Sequence, residues 1–295
     1  WKLLIIGPTS SWRESWGEWE AIRDIVQNSL DESESYTTER VMFEGTTSLV
    51  ISDSGKGVQI ADFLLGPPKL KPEWSRGRFG EGMKLAALTL LRLGYGVRVK
   101  TSDRDIRMVF YEQSVNGKAK TLAALWHPNG TTVGTKFYII GYTGTDFADR
   151  FVANLGNETY IGSGIEVFRG PAIIKEPFQR YNQLIAKPVG RLYSRDIYMR
   201  DINSPWSYNL WGFALAPDRH APANEEDIYN DIGRLWMTCD NSDLIAKFLR
   251  LVEQTPGEKT IEYSAKMSWN RPYQDYFEKN QPIWQEGWVK AFGPN

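Results

Sequence analysis

The feature that most constrains the fold is a run of apolar residues spaced three and four apart between Ser15 and Asp31. Such spacing is typical of a helix that buries one face. The apolar positions are Trp19, Ile22, Ile25, Val26 and Leu30. The other face carries a polar stripe that consists of Glu20, Asp24, Asn28 and Asp31. Side chains aligned in this way form either a solvated helix surface or one wall of a site, and the helix by itself leaves both interpretations open.

Short strand-like runs follow the helix, and a glycine-rich segment interrupts them. Two runs, residues 40–44 and 48–52, predict a hairpin. A loop-like stretch at residues 66–78 leads through a Gly-Glu-Gly at 80–82 into an apolar helix at 83–91. Further strands are predicted at 96–100, 108–111, 122–126 and 131–140. The pattern predicts an α/β (α+β) fold in which helices lie against a mixed, mostly antiparallel sheet.

The character of the sequence changes in its second half. Strands are predicted near 190–199 and 208–215, and helices at 225–237, 242–253 and 273–291. A length of 295 residues corresponds to about two typical domains. We therefore expect a boundary near residue 180, with one domain over 1–180 and a smaller α/β domain over 181–295.

Charge and cysteine content exclude several classes of protein. The chain has 35 basic and 36 acidic residues, so no chain-wide field attracts nucleic acid or an anionic membrane. Cys239, His127 and His220 are too few to assemble a Cys/His zinc site. No apolar run approaches the ~18 residues of a membrane span, and a reducing cytoplasm is the expected location. The chain lacks an initiator methionine, which leads us to expect a fragment or a processed product.

Three segments have the chemistry to hold a nucleotide. Glycines at a helix start, as in residues 80–82, offer backbone N–H groups to phosphates, and Lys84 lies one turn further on. Asp53, at a strand end, can accept a hydrogen bond from an exocyclic amine, while Gly55 and Gly57 let the backbone approach a flat base. In the polar stripe, a carboxylate one turn from a carboxamide can position a water and ligate Mg²⁺.

Taken in order, these segments resemble the GHKL (Bergerat-fold) ATPases, a superfamily that includes gyrase, the ninety-kilodalton heat-shock chaperones, MutL, MORC proteins and histidine kinases. Four segments carry the resemblance: Arg23-Asp24-Ile25-Val26-Gln27-Asn28-Ser29-Leu30-Asp31, Asp53-Ser54-Gly55-Lys56-Gly57-Val58, Gly77-Arg78-Phe79-Gly80-Glu81-Gly82-Met83-Lys84 and Gly134-Thr135-Lys136-Phe137. The similarity covers roughly residues 18–170. The glycine segment is most similar to MORC proteins and the chaperones. The implied fold is a two-layer sandwich of helices on a sheet.

The resemblance implies a set of site residues for ATP and Mg²⁺. Asn28 matches the Mg²⁺-binding asparagine, Asp53 the adenine-reading aspartate, and Gly55 and Gly57 flank the base. Thr135 matches the threonine that supports that aspartate and its water; an alternative register places Gly130-Thr131 there. The segment that would cap the triphosphate, in a lid continuing into residues 66–78, consists of Phe79, Gly80, Glu81, Gly82, Met83 and Lys84.

The candidate base departs from the family pattern. Asp24 falls where hydrolysing members carry a glutamate that activates the attacking water. An aspartate is a competent base, but its shorter reach can misplace the water, so ATP binding is a safer expectation than turnover. Glu20 and Glu81 are weaker alternatives for the base.

Several cations could complete such a site. The lid cations Lys69, Lys71, Arg76 and Arg78 either close on the phosphates or belong to a solvated loop. The second half resembles, more faintly, the transducer domain of gyrase-like and MutL-like members, which sends a basic side chain to the γ-phosphate. The candidates for that side chain are Arg219, Lys187 and Arg191.

The expected function is that of an ATP-binding and slowly hydrolysing switch, which binds ATP or ADP and forms a homodimer on ATP binding. One alternative is a nucleotide-gated binding module without useful hydrolysis. Phosphoryl transfer in the manner of histidine kinases is a weaker alternative, because neither His127 nor His220 lies in a helical phospho-acceptor setting. The client, protein or nucleic acid, is not specified by the sequence, and a membrane partner is not expected.

Overall fold

The computed structural model describes residues 1–63, 75–76, 81–112, 120–129, 132–144, 147–155, 166–174, 179–215, 221–255, 260–267 and 274–294. The chain forms two compact units, Trp1–Asp146 and Phe147–Asn295, each with its own sheet. The boundary expected near residue 180 falls inside the second unit. It separates two strands of one sheet, which pair with each other and therefore belong together.

A seven-stranded sheet forms the first unit. Its strands are β1 (Lys2–Thr9), β2 (Thr37–Phe43), β3 (Thr46–Asp53), β4 (Gly96–Lys100), β5 (Arg104–Glu112), β6 (Lys120–Pro128) and β7 (Thr135–Ile140). They lie in the order β1-β6-β5-β4-β7-β3-β2, and every neighbouring pair is antiparallel. A two-residue turn of Glu44 and Gly45, both with positive φ, joins β2 to β3 as hairpin geometry favours. The expected mixed α/β class with an antiparallel sheet is confirmed.

Two helices pack against each other and onto this sheet. They are α1 (Glu18–Ser33) and α2 (Gly82–Arg92). Four of the five periodic apolar residues of α1 are buried as predicted, namely Ile22, Ile25, Val26 and Leu30, and Trp19 is half-buried. The polar stripe, however, is not a solvated surface, since Asp24 is 1% exposed and Asp31 8% exposed. A buried carboxylate needs compensating partners, so this face of α1 is where a site can be built.

The second unit contains a five-stranded sheet and four helices within the part of the chain that is described. The strands are β8 (Glu166–Ile174), β9 (Arg180–Ile185), β10 (Arg191–Ser194), β11 (Ile197–Asp201) and β12 (Ser207–Leu210). Their order is β11-β10-β12-β9-β8, and only β10 and β12 pair in parallel. The helices are α3 (Glu225–Met237), α4 (Ser242–Gln254), α5 (Ile261–Met267) and α6 (Gln274–Phe292). Short 3₁₀ helices occur at Ile60–Phe63, Ala148–Arg150 and Val152–Asn154.

Aromatic side chains fill the core of the second unit. Trp236 on α3 stacks on Phe248 of α4 with ring centroids 4.5 Å apart, and Trp284 of α6 meets Phe248 edge-on. Cys239 is fully buried in the same core and has no disulfide partner in this chain. Asn224 and Asn241 cap α3 and α4 by accepting backbone N–H groups with their side chains. None of the helices in the described ranges is long and apolar enough to cross a membrane.

Candidate functional site

The end of β3 presents Asp53 beside the start of β7. The register of the two strands pairs Asp53 with Thr135, whose backbone N–H donates to Oδ1 of Asp53 at 3.3 Å. The N–H of Gly55 donates to the same oxygen at 2.9 Å. Burial raises the pKa of Asp53, while these two bonds and the Ser29 hydroxyl of α1 lower it. A partly buried acceptor is thus held in a fixed direction by the loop after β3, by β7 and by α1.

The glycines around Asp53 are required by the packing of the protein itself. A Cβ on Gly55 would lie 2.7 Å from Cβ of Glu32 on α1. Gly57 has a φ of +83°, and its Cβ would lie 3.1 Å from the carbonyl oxygen of Gly134. A Cβ on Gly134 would overlap the carbonyl oxygen of Asp53 at 2.0 Å. The loop after β3 therefore packs tightly on α1 and on the approach to β7.

The Thr135 side chain completes this arrangement. Its Oγ1 accepts the N–H of Val58 at 3.2 Å, which ties the loop after β3 to β7. Thr135 is 6% exposed. The alternative pair Gly130-Thr131 lies outside the described residues, whereas Thr135 lies directly beside Asp53.

Asn28 and Asp24 lie one turn apart on α1. The amide nitrogen of Asn28 donates to the backbone carbonyl of Asp24 at 2.7 Å. This bond engages the nitrogen, so the carboxamide oxygen is the atom that can ligate a cation. Within the described ranges, no cluster of three or more His, Cys, Asp or Glu side chains could hold a metal ion.

The Asp24 carboxylate is enclosed by protein. Its Oδ1 accepts from Nε of Arg23 at 3.2 Å. A Cβ on Gly82, the first residue of α2, would lie 2.1 Å from Oδ2. The start of α2 is thus packed directly on the candidate base. A helix N-terminus favours a negative charge at this position.

The structure describes part of the segment at residues 79–84 that is expected to bind phosphates. Glu81 is the N-cap residue of α2, and its side chain makes no capping hydrogen bond. Met83 is partly exposed, but Lys84 is 4% exposed, and burial lowers its pKa against the opposing effect of Glu81 and Asp62. The role expected of Lys84, as a charge partner of a phosphate, stays a prediction. Phe79 and Gly80 lie outside the described residues.

Two residues of the expected lid are described, and both are docked on α1. The Ser75 hydroxyl donates to Oδ2 of Asp31 at 2.9 Å, and the Arg76 N–H donates to Oδ1 at 2.7 Å. The Arg76 guanidinium binds the carbonyl of Leu30 and the carboxylate of Glu34, and Arg76 is 6% exposed. Arg76 therefore packs at the end of α1 in this structure. Lys69, Lys71 and Arg78 lie outside the described residues.

The remaining candidates divide between structural roles and undescribed segments. Glu20 accepts the N–H of Gly17 at 2.8 Å and so caps α1. In the second unit, Arg191 pairs with Asp149 at 2.7 Å. His127 is in edge contact with Trp1 on the sheet. Lys187 is exposed, and Arg219 and His220 lie outside the described residues.

Sequence reasoning missed two residues that contact the candidate site, Arg23 and Ser29. Arg23 precedes Asp24 and pairs with it, and Ser29 follows Asn28 and acts on Asp53. Both lie in the α1 segment that carries the motif resemblance, next to the polar residues Asp24 and Asn28. This position was the sequence signal that could have identified them. A separate cleft of about 260 Å³ in the second unit contains none of the predicted site residues; its lining includes Gly170, Asn182, Gly212, Arg234 and Thr238.

Comparison of the chain with protein-family models and with curated proteins gave no match. The interpretation of the site therefore depends on its own geometry and on the motif resemblance.

Proposed function

We propose that the first unit binds ATP or ADP with Mg²⁺ in the manner of the GHKL (Bergerat-fold) ATPases. The single observation that carries the proposal is the setting of Asp53. Backbone N–H groups of Gly55, in the loop after β3, and of Thr135, at the start of β7, hold its Oδ1, and the α1 residue Ser29 also acts on its carboxylate. An acceptor held in this way reads the exocyclic amine of adenine through its second oxygen.

The positions of the other motif residues are consistent with a nucleotide that extends from Asp53 towards the start of α2. α1 contacts both β3 and α2, so Asn28 and Asp24 lie between the end that carries Asp53 and the start of α2. A helix N-terminus such as that of α2 favours phosphate groups, and the proposed phosphate-binding segment is Phe79, Gly80, Glu81, Gly82, Met83 and Lys84. Asn28 is the proposed protein ligand of Mg²⁺, which would complete its octahedral shell with phosphate oxygens and water.

Turnover converts ATP and water to ADP and phosphate, with Asp24 as the proposed base. Asp24 lies on the same helix face as Asn28, which is the arrangement needed to hold a water against the terminal phosphate. In the proposed cycle ATP favours a homodimeric form, and hydrolysis resets it. This requires ATP to bind one form better than the other by a few kcal/mol. The second unit would transmit the change in the manner of a transducer domain to a protein or nucleic-acid client.

A second candidate, a nucleotide-gated module without useful hydrolysis, is favoured by one observation. Asp24 is 1% exposed and packed between Arg23 and Gly82, where a catalytic water has no access. In that case nucleotide binding alone would drive the switch.

Phosphate release from Mg²⁺-ATP, measured over a range of protein concentrations beside ATP affinity, tests both candidates. We expect specific activity to rise with concentration, and Asp24→Asn to lose turnover while it still binds ATP. Asp103→Asn, in the exposed turn between β4 and β5, is the matched control and should behave as the parent chain. Normal turnover in Asp24→Asn would remove Asp24 as the base. Binding with turnover no faster than buffer would favour the second candidate, and no ATP binding would overturn both.

A further inference from the structure

The cleft of about 260 Å³ in the second unit lies between β8, β9 and the end of α3. Its volume equals that of roughly nine water molecules, since each takes about 30 Å³ of the liquid. Three polar side chains line it, those of Asn182, Arg234 and Thr238, and none of the described lining residues is acidic. The other lining residues are glycine, proline and aliphatic residues. A space of this size and composition suits a small organic molecule.

A bulge in β8 supplies one wall of the cleft. Gly170 and Pro171 of β8 lie opposite a single residue of β9, Asn182. The pairs on either side of the bulge are Arg169–Gln183 and Ala172–Tyr181. Pro171 has no N–H to donate to the ladder, and proline within a sheet is tolerated at such bulges. The strand is therefore irregular at the point where it borders the cleft.

Gly170 keeps the space between β8 and α3 open. A Cβ at this position would lie 3.1 Å from Cδ1 of Leu235 and 3.5 Å from Oγ1 of Thr238, two residues that line the cleft. It would also lie 3.6 Å from the carbonyl oxygen of Asn182. A single methyl group would therefore fill part of the cleft. Its tightest contact is with the end of a leucine side chain, which a small rotation relieves.

Asn182 places hydrogen-bond donors at the cleft. Leu184 lies two residues further along β9, hence on the same face, and belongs to the apolar core that includes α3. Asn182 is 2% exposed, and its Oδ1 accepts the N–H of Trp211 at 2.8 Å. Among the described residues, its Nδ2 makes no hydrogen bond, although an amide nitrogen carries two N–H donors. A bound acceptor would satisfy these buried donors.

Arg234 brings a positive charge to the cleft. Its side chain is 35% exposed, and its Nη1 donates to Oδ1 of Asp231 at 3.0 Å. This bond fixes the direction of the guanidinium. Burial raises the pKa of Asp231 to about 6, so near pH 6 this carboxyl offsets only part of the positive charge. A guanidinium presents a planar fork of donors that matches a carboxylate.

The aliphatic residues of the cleft complete its chemistry. Leu235 of α3 is 2% exposed, whereas Ile173 of β8 is 41% exposed. Coverage of such surface by a hydrocarbon chain is favourable. A positive charge and buried N–H donors beside aliphatic surface are the features that recognise a carboxylate on a short hydrocarbon chain.

We propose that this cleft binds a small carboxylic acid with a short aliphatic chain. Arg234 and the Nδ2 of Asn182 hold the carboxylate, and Ile173 and Leu235 contact the chain. The cleft shares no residue with the proposed ATP site, so the failure of either proposal leaves the other standing.

Calorimetric titration of the full chain with hexanoate at pH 6 tests the site. This acid has about eight non-hydrogen atoms and so matches the volume of the cleft. We expect a Kd of about 1 mM or tighter, as is usual for a ligand of this size. Hexan-1-ol has the same hydrocarbon chain without a carboxylate and should bind at least about tenfold more weakly.

Two variants alter the cleft, and a third is the matched control. Gly170→Ala fills part of the cleft and should weaken hexanoate binding by at least about tenfold. Arg234→Gln combined with Asp231→Asn removes the cation without leaving a buried carboxylate unpaired, and should weaken binding by a similar factor. Arg200→Gln removes an arginine of similar exposure, paired with Glu225 in the same unit, and should bind as the parent chain does. Urea unfolding checks that each variant is folded; if Gly170→Ala is not, the double variant carries the test.

The outcomes are distinct. Weaker binding in the cleft variants, with the affinity of Arg200→Gln unchanged, supports the inference. Hexanoate binding that either folded cleft variant retains in full overturns it, because the ligand then lies elsewhere. Absence of binding to the parent chain at up to about 20 mM hexanoate also overturns it. Equal affinity for hexan-1-ol would contradict the recognition of a carboxylate.

Discussion

The backbone N–H of Thr135 donates to the carboxylate of Asp53 although 82 residues separate them in the chain. The antiparallel register of β3 and β7 places the two residues opposite each other. Because a shift of one residue would turn every side chain to the other face, the buried core of the sheet fixes this pairing. The direction of the Asp53 carboxylate is therefore a property of the whole sheet.

Asp53→Asn should weaken ATP binding by at least about tenfold, because an amide replaces a charged acceptor, and hydrogen bonds to charged groups are worth about 1.5–3 kcal/mol. The variant keeps an oxygen for the N–H groups of Gly55 and Thr135, so the fold should persist. Calorimetric titration with ATP measures the affinity, and urea unfolding measures the stability. Asp103→Asn is the control. Equal affinity in Asp53→Asn and the parent chain would contradict the role given to Asp53.

The local elements of the first unit could be predicted from sequence, whereas the burial of its polar residues could not. Apolar spacing located α1, and alternation located β2 and β3 to within a few residues. The same spacing left open whether Asp24 and Asp31 are solvated or buried, because the periodic rule does not include what packs on the polar face. That face is covered by the start of α2 and by Ser75 and Arg76, contacts that span long stretches of chain.

The division into units was harder to predict for a similar reason. The sequence changes in character near residue 180 because the helices of the second unit begin later in the chain. The strands β8 and β9, however, lie on either side of that point and pair with each other. Strand pairing depends on the order of strands in the sheet, and local patterns do not report that order. The motif residues were found because their types and spacing are local, while Arg23 and Ser29 emerged only from contacts.

Arg76→Ala should lower the free energy of unfolding by about 2 kcal/mol, because it removes the hydrogen bonds of a buried guanidinium to the carbonyl of Leu30 and to the carboxylate of Glu34. Urea unfolding followed by tryptophan fluorescence measures the change. Lys120→Ala removes an exposed cation, 3.8 Å from Glu112, and should cost less than about 0.5 kcal/mol. If the two variants cost the same, Arg76 does not anchor its segment to α1.

Asp231 on α3 should make the stability of the second unit depend on pH. Burial raises its pKa from 3.8 to about 6, against the opposing effect of Arg234, which is 3.0 Å away. Between about pH 4 and 6, the folded state therefore keeps a proton that the unfolded state has released. The contribution of Asp231 to the free energy of unfolding is present at low pH and is lost as the pH rises through 6. The loss amounts to up to about 3 kcal/mol.

Asp231→Asn should flatten this dependence, since the amide does not titrate. Urea unfolding at a series of pH values between 4.5 and 7.5 gives the slope, and hydrogen exchange of α3 amides, corrected for the intrinsic rates, assigns it to the second unit. Asp240→Asn, at an exposed position just after the same helix, should keep the slope of the parent chain. An unchanged slope in Asp231→Asn would show that another group titrates.

Glu262 on α5 is a carboxylate buried without a counter-charge. It is 0% exposed, and its Oε1 accepts from the hydroxyls of Ser204 and Tyr208, the latter at 2.8 Å. In the part of the chain that is described, its Oε2 has no partner and no basic side chain pairs with it. Burial raises its pKa, so the folded state favours the neutral acid, and its contribution to stability is lost as the pH rises through that pKa.

Glu262→Gln should therefore stabilise the chain at high pH and have little effect at low pH. The glutamine keeps an oxygen for Ser204 and Tyr208 and removes the charge that the core disfavours; the expected gain at pH 8 is about 1 kcal/mol. The free energy of unfolding at pH 5 and pH 8 measures it, with Glu253→Gln on the exposed side of α4 as the control. An equal loss of stability at both pH values would mean that the glutamine amide cannot be accommodated there, and that the ionised carboxylate is satisfied in the fold.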